Sequence, residues 1–140
     1  MLRSIVLAAG ICGFIAVVIG AHAAHGLESS LADKGVGELD IPKRVDQCEV
    51  AVRYQMSHAL GLLFLSVVGK QAKRRAYFAA TFFLLGILLF SGGLYVLVYA
   101  GPDGPGPLGY WAIVPSGGLC FLLGWLGITS LAFTRSEPAH

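Results

Sequence analysis

Four long apolar runs, separated by short polar or Gly/Pro-rich segments, set the pattern of this chain. The runs predict helices over about 4–24, 49–69, 76–99 and 114–134. Each is close to the roughly twenty residues that carry a helix across a hydrocarbon core about 30 Å thick. The segment 27–48 is polar and broken by Gly35, Gly37 and Pro42, and it reads as a surface loop with room for a short interfacial helix. Asp46 followed by Glu49 resembles a capping box, so the second span is expected to start near Asp46. Residues 70–75 form a tight basic turn, and 100–112, which holds Gly101-Pro102-Asp103-Gly104-Pro105-Gly106-Pro107, is a loop.

Small residues recur inside the runs at helical spacings. Ala9, Gly13, Ala16 and Gly20 share one stripe of the first helix, and Ala79, Gly86 and Gly93 recur along the third. Ser116, Cys120, Gly124 and Gly127 share a stripe of the fourth. Ser91-Gly92-Gly93-Leu94 and Ser116-Gly117-Gly118-Leu119 look alike. Small residues let neighbouring helices approach closely, so Gly13, Gly20, Gly86, Gly92, Gly93, Gly117, Gly118 and Gly124 are the expected packing positions.

The second run carries most of the polar chemistry. At 100° per residue, Ala51, Tyr54, Gln55, His58, Gly61, Leu65 and Gly69 fall on one side, and Met56, Leu60, Leu63, Phe64 and Val67 on the other. The apolar side should meet lipid and the mixed polar and small side other helices. Arg53 lies off the polar stripe, one turn after Glu49, and reads as an interface anchor.

Composition agrees with a bilayer protein. The chain of 140 residues is 56% hydrophobic and 13% charged, against roughly 25% charged in soluble domains. It forms one domain, 1–140, of the all-α class: a four-helix transmembrane bundle. A net charge of +2 with no basic face gives no sign of a nucleic-acid partner. Three scattered cysteines without a CxxC pair make neither a disulfide framework nor a zinc site. Arg3 and Ala21-His22-Ala23 imitate a secretory signal, but three further spans favour a retained first helix. Arg3, Lys70, Lys73, Arg74, Arg75 and Arg135 lie on one side of a four-span topology, whereas 27–49 carries six acids and three bases. Basic residues stay in the cytoplasm, so both termini are expected there.

The candidate site gathers His25, Tyr54, Gln55 and His58. If the end of the first helix and the start of the second lie at one depth, His25 and His58 meet. Imidazole ligates metals and titrates near neutral pH, so such a pair suits a metal or a proton relay. The competing reading is structural: one interhelical hydrogen bond satisfies an imidazole or an amide and fixes packing. No carboxylate lies deep in a span to complete a metal or proton site. His22 falls opposite the small stripe and reads as facing the headgroups. No nucleophile elbow, P-loop, dinucleotide fingerprint or HExxH occurs. No catalytic residue, metal or cofactor is expected. The expected partners are the lipid bilayer and a second copy or other membrane proteins.

Gly20-Ala21-His22-Ala23-Ala24-His25-Gly26-Leu27, Tyr54-Gln55-Met56-Ser57-His58-Ala59-Leu60, Gly86-Ile87-Leu88-Leu89-Phe90-Ser91-Gly92-Gly93-Leu94-Tyr95 and Pro115-Ser116-Gly117-Gly118 with Gly124-Trp125 occur in this order, touching all four spans. Together they resemble the YgdD/YwdK-like family of small integral membrane proteins, built around a domain of unknown function. The resemblance implies a four-helix inner-membrane protein with an uncleaved first helix, and no catalytic residue or substrate. The family usually has Phe where this chain has His22 and Gly where it has Ala23, which supports an outward-facing His22. The leading functional expectation is a non-enzymatic packing or accessory component of the membrane. The alternatives are a small transporter or proton/ion pathway lined by Tyr54, Gln55 and His58, and a metal-dependent membrane enzyme using His25 and His58.

Overall fold

The computed structural model describes residues 2–70, 72–100 and 110–133. It is all-helical among these residues: α1 Arg3–His25, α2 Leu27–Asp33, α3 Ile41–Val68, α4 Lys73–Gly86, α5 Gly92–Tyr99 and α6 Tyr110–Leu131. A π turn, Ile87–Ser91, joins α4 to α5 into one continuous rod. Four helices among the described residues (α1, α3, the α4–α5 rod and α6) are long and apolar enough to cross a membrane. Of the expected loop 100–112, residues 101–109 lie outside the described residues, as do Arg135 and the tail to His140, whereas α6 begins at Tyr110, before the expected 114 and with Pro115 inside the helix.

The polar connection differs from expectation in one respect. Residues 27–48 are mostly helical rather than loop: α2 forms at once after Gly26, and α3 begins at Ile41. The expectation of a start near Asp46 treats Pro42 as a breaker. Pro42 instead occupies the first turn of α3, where a missing N–H costs nothing. Gly35, at φ 78°, supplies the left-handed residue that ends α2. The amide of Val36 closes that turn on the carbonyl of Leu31 at 3.1 Å.

The bundle is built from antiparallel neighbours. α1 lies along α3, α6 lies along α4 and the π turn, and α3 packs against the whole α4–α5 rod. Matching points fix the register of the first pair. The Leu2 amide meets the Ser66 carbonyl at 3.2 Å, Gln55 meets Cys12, and Gly20 faces Val52. Two apolar cores result. One, at the basic end and midplane, includes Ile5, Leu62, Leu65, Phe83 and Phe121. The other, at the far end, is closed by α2, whose Leu27 and Leu31 are fully buried with Cys48 and Val98. The outward faces of α1 (Leu7, Phe14, Val17) and α3 (Leu60, Phe64, Val67) stay apolar and exposed, as lipid-facing surfaces must.

Basic side chains tie the far end together. Arg44 of α3 donates from Nη1 to the carbonyls of Val98, at 3.3 Å, and Ala100. Lys34 Nζ donates to the Tyr99 carbonyl at 3.5 Å and lies 5.6 Å from the centre of the Tyr99 ring. Both cations thereby satisfy the open carbonyls at the end of α5, where the helix dipole also favours positive charge.

Candidate functional site

The polar face of α3 folds into two separate contacts. Gln55, only 3% exposed, donates from Nε2 to the carbonyl of Cys12 in α1 at 2.8 Å. That carbonyl already belongs to the α1 ladder and uses its second lone pair here. His58, 5% exposed, points the other way, toward α4 and α6.

The surroundings of His58 determine its chemistry. Nδ1 lies 2.7 Å from the carbonyl of Tyr54, one turn back. A carbonyl only accepts, so Nδ1 carries the proton and Nε2 is left as an acceptor. Trp125 of α6 donates its indole N–H to that Nε2 at 3.2 Å. The ring stacks on Phe121 at a centroid distance of 3.5 Å and 13° between planes, and meets Phe83 edge-on at 5.0 Å. Tyr54 adds a ring 4.6 Å from Phe90 and 6.0 Å from His58. His58 thus sits in an aromatic box drawn from three spans, with both nitrogens engaged.

Glycines create the space for that box. A Cβ on Gly61 would come within 2.8 Å of the Phe83 ring. One on Gly124 would collide with the same ring, and one on Gly86 with Phe121. Gly117 is small for a different reason, since the backbone of α6 there touches the π turn at the amide of Phe90. Gly20 and Gly93 face Val52 and Val114, which would lie 3.3 and 3.0 Å from a Cβ at those positions. Gly92 makes only an ordinary contact, with the Ile87 carbonyl. Gly13 and Gly118 have open space where a Cβ would stand.

His25 does not join the site. It is exposed at the end of α1, and the α1–α3 register puts it near the start of α3. Gln55 pairs with Cys12, so His25 stands about 20 Å farther along α1, at roughly 1.5 Å per residue. The expected contact of His25 with His58 or Gln55 fails because α3 starts at Ile41, which lengthens the helix below them. His22 is exposed and stacks on Tyr99 at 5.9 Å. Tyr54 is 44% exposed and lies at the rim of the box rather than inside it. Among the described residues, no three His, Cys, Asp or Glu side chains gather as a metal would require.

Sequence reasoning misses the partners of His58, because Trp125, Phe121 and Phe83 pass as ordinary members of apolar runs. Their signal is spacing: Phe121 and Trp125 lie one turn apart on α6, on the side of Gly124. Ser91 Oγ, in the π turn, and Tyr95 OH, one turn on in α5, are buried without a hydrogen-bond partner among the described residues.

Residues 19–118 match the family model DUF423, described as a protein of unknown function. Curated relatives align over most of their length. A UPF0382 membrane protein of Staphylococcus haemolyticus is 34% identical over 89% of this chain and 91% of its own. Another from Haemophilus influenzae is 33% identical over 86% of both. The UPF0382 inner membrane protein YgdD of Escherichia coli is 34% identical over 99% of this chain and 97% of its own. No solved structure matches. Four apolar spans, a matched domain and full-length relatives of one kind agree, and the chain belongs to the DUF423 family as a multi-pass inner-membrane protein.

Proposed function

We propose that this protein is a non-enzymatic membrane component, a rigid four-span bundle that acts by packing within the bilayer, with both termini and the Lys70–Arg75 turn in the cytoplasm. The observation that carries this reading is the use of its buried polar groups. Gln55 is committed to α1 and both nitrogens of His58 to α3 and α6. A proton path or metal site needs an imidazole with a free nitrogen facing water or ligand. The position of His25, about 20 Å away along the bundle, speaks against a two-histidine metal enzyme. The inside orientation rests on the distribution of Lys and Arg among the connections.

The test compares His58→Ala with the parent in two assays. Purified protein in vesicles is examined for proton and cation flux, and in mixed micelles for resistance to unfolding. The packing role predicts lowered stability and no flux in either protein. Flux by the parent that disappears in a folded His58→Ala variant overturns it in favour of an ion pathway. Accessibility of a cysteine placed at Lys73 to a membrane-impermeant reagent from the outside would overturn the orientation.

A further inference from the structure

One end of the bundle carries charge that nothing in the described chain balances. Arg74 and Arg75 lie in the first turn of α4, beside Lys70 and Lys73, and all four are exposed. α1, α4, α5 and α6 contain no Asp or Glu, and neither does α3 beyond Glu49. No carboxylate among the described residues therefore belongs to this end.

A cleft opens beside the two arginines. It lies between the start of α4 and the end of α6, holds about 430 Å³, and is lined by Arg74, Arg75, Phe78, Leu123, Leu126 and Ser130. That volume falls within the roughly 300–1,000 Å³ of small-molecule sites. Its walls are apolar and face the bilayer: Phe78 is 51% and Leu126 64% exposed. Its mouth is cationic. Arg75 is held in place by Nη1 donating to the Ser130 carbonyl at 2.6 Å. A guanidinium has five N–H donors in a planar fork, so this bond positions the group and leaves others for an anion.

We propose that this cleft binds an anionic phospholipid. Arg74 and Arg75 hold the phosphate, and an acyl chain lies over Phe78, Leu123 and Leu126. A basic mouth above an apolar groove between two spans, at interface depth, matches the two parts of such a lipid. The proposal requires only that the bundle spans a bilayer and is independent of the orientation and packing role above.

The test uses the full chain purified in detergent and titrated with phosphatidylglycerol or phosphatidylcholine, with bound lipid read by native mass spectrometry. Phosphatidylglycerol should be retained over phosphatidylcholine. R74Q/R75Q should weaken phosphatidylglycerol binding at least about tenfold, because it removes the charge-assisted hydrogen bonds to the phosphate as well as the charge. K70Q/K73Q removes equal charge outside the cleft and should weaken it far less. Leu126→Trp leaves the charge intact, fills the groove, and should also lose the lipid. Circular dichroism checks folding, and if R74Q/R75Q does not fold, Leu126→Trp decides. Equal binding of the two lipids, equal loss in the two charge variants, or unchanged binding by Leu126→Trp overturns the proposal. So does displacement of phosphatidylglycerol by inorganic phosphate, which would make the site one for free anions.

Discussion

The indole–imidazole bond between Trp125 and His58 can be weighed directly. Trp125→Phe keeps a ring of similar shape against Phe83 but removes the N–H that reaches Nε2 at 3.2 Å. His58→Ala removes the acceptor, along with the stack on Phe121 and the edge contact with Phe83. The second change is the more costly alone, about 2–4 kcal/mol as a large-to-small substitution in a packed site. The double variant isolates what the two residues share. Interhelical hydrogen bonds in membranes average about 0.6 kcal/mol and reach about 1.7, so the coupling should fall in that range. Stacking on Phe121 is lost with His58 in both backgrounds and cancels from the cycle. Reversible unfolding in mixed micelles, followed by far-ultraviolet circular dichroism, gives the four stabilities. A coupling below about 0.3 kcal/mol, the usual error of additivity, would show that the contact does not join α3 to α6 energetically.

Further expectations follow from the same contacts. Gly124→Ala should destabilise the bundle by about 1–3 kcal/mol, because its methyl meets the Phe83 ring, whereas Gly118→Ala should be neutral or stabilising; thermal melts in detergent compare the two. Gln55→Leu, which removes the bond to the Cys12 carbonyl, should cost about 0.6–1.7 kcal/mol and raise hydrogen exchange in the middle of α1. Arg44→Ala frees the carbonyls of Val98 and Ala100, so exchange should rise at the end of α5 and leave the Phe83–Phe121 core unchanged.

The four spans are legible because hydrocarbon imposes a length and a composition that a sequence displays without ambiguity. The inward face of α3 is legible for the same reason: Gln55 and His58 could not be left toward lipid. Their partners are not. Whether Gln55 meets α1 or another helix depends on the rotation and register of rods, and periodicity carries neither. The register error at His25 has a local origin in the reading of Pro42, whose meaning changes between a helix interior and a first turn. The glycine stripes carry a further ambiguity. Gly13 and Gly118 have the same spacing as their packed neighbours, yet nothing stands within reach of a Cβ there, and spacing alone does not say which positions of a stripe meet a neighbour. Ring-sized neighbours such as Phe83 explain why Gly61, Gly86 and Gly124 must be small, and those neighbours come from other spans. The π turn has no signal in the sequence that a helical period would reveal.

The aromatic box around His58 also sets an order of assembly. Chains are made from the N-terminus, so α1, α3 and the α4–α5 rod enter the membrane before α6. Until α6 arrives, Nε2 of His58 lacks the Trp125 N–H, and the face of its ring lacks Phe121. A three-span intermediate therefore presents a polar nitrogen without its protein donor, and the last helix supplies it. Chains truncated before Trp125 keep that nitrogen without its indole donor.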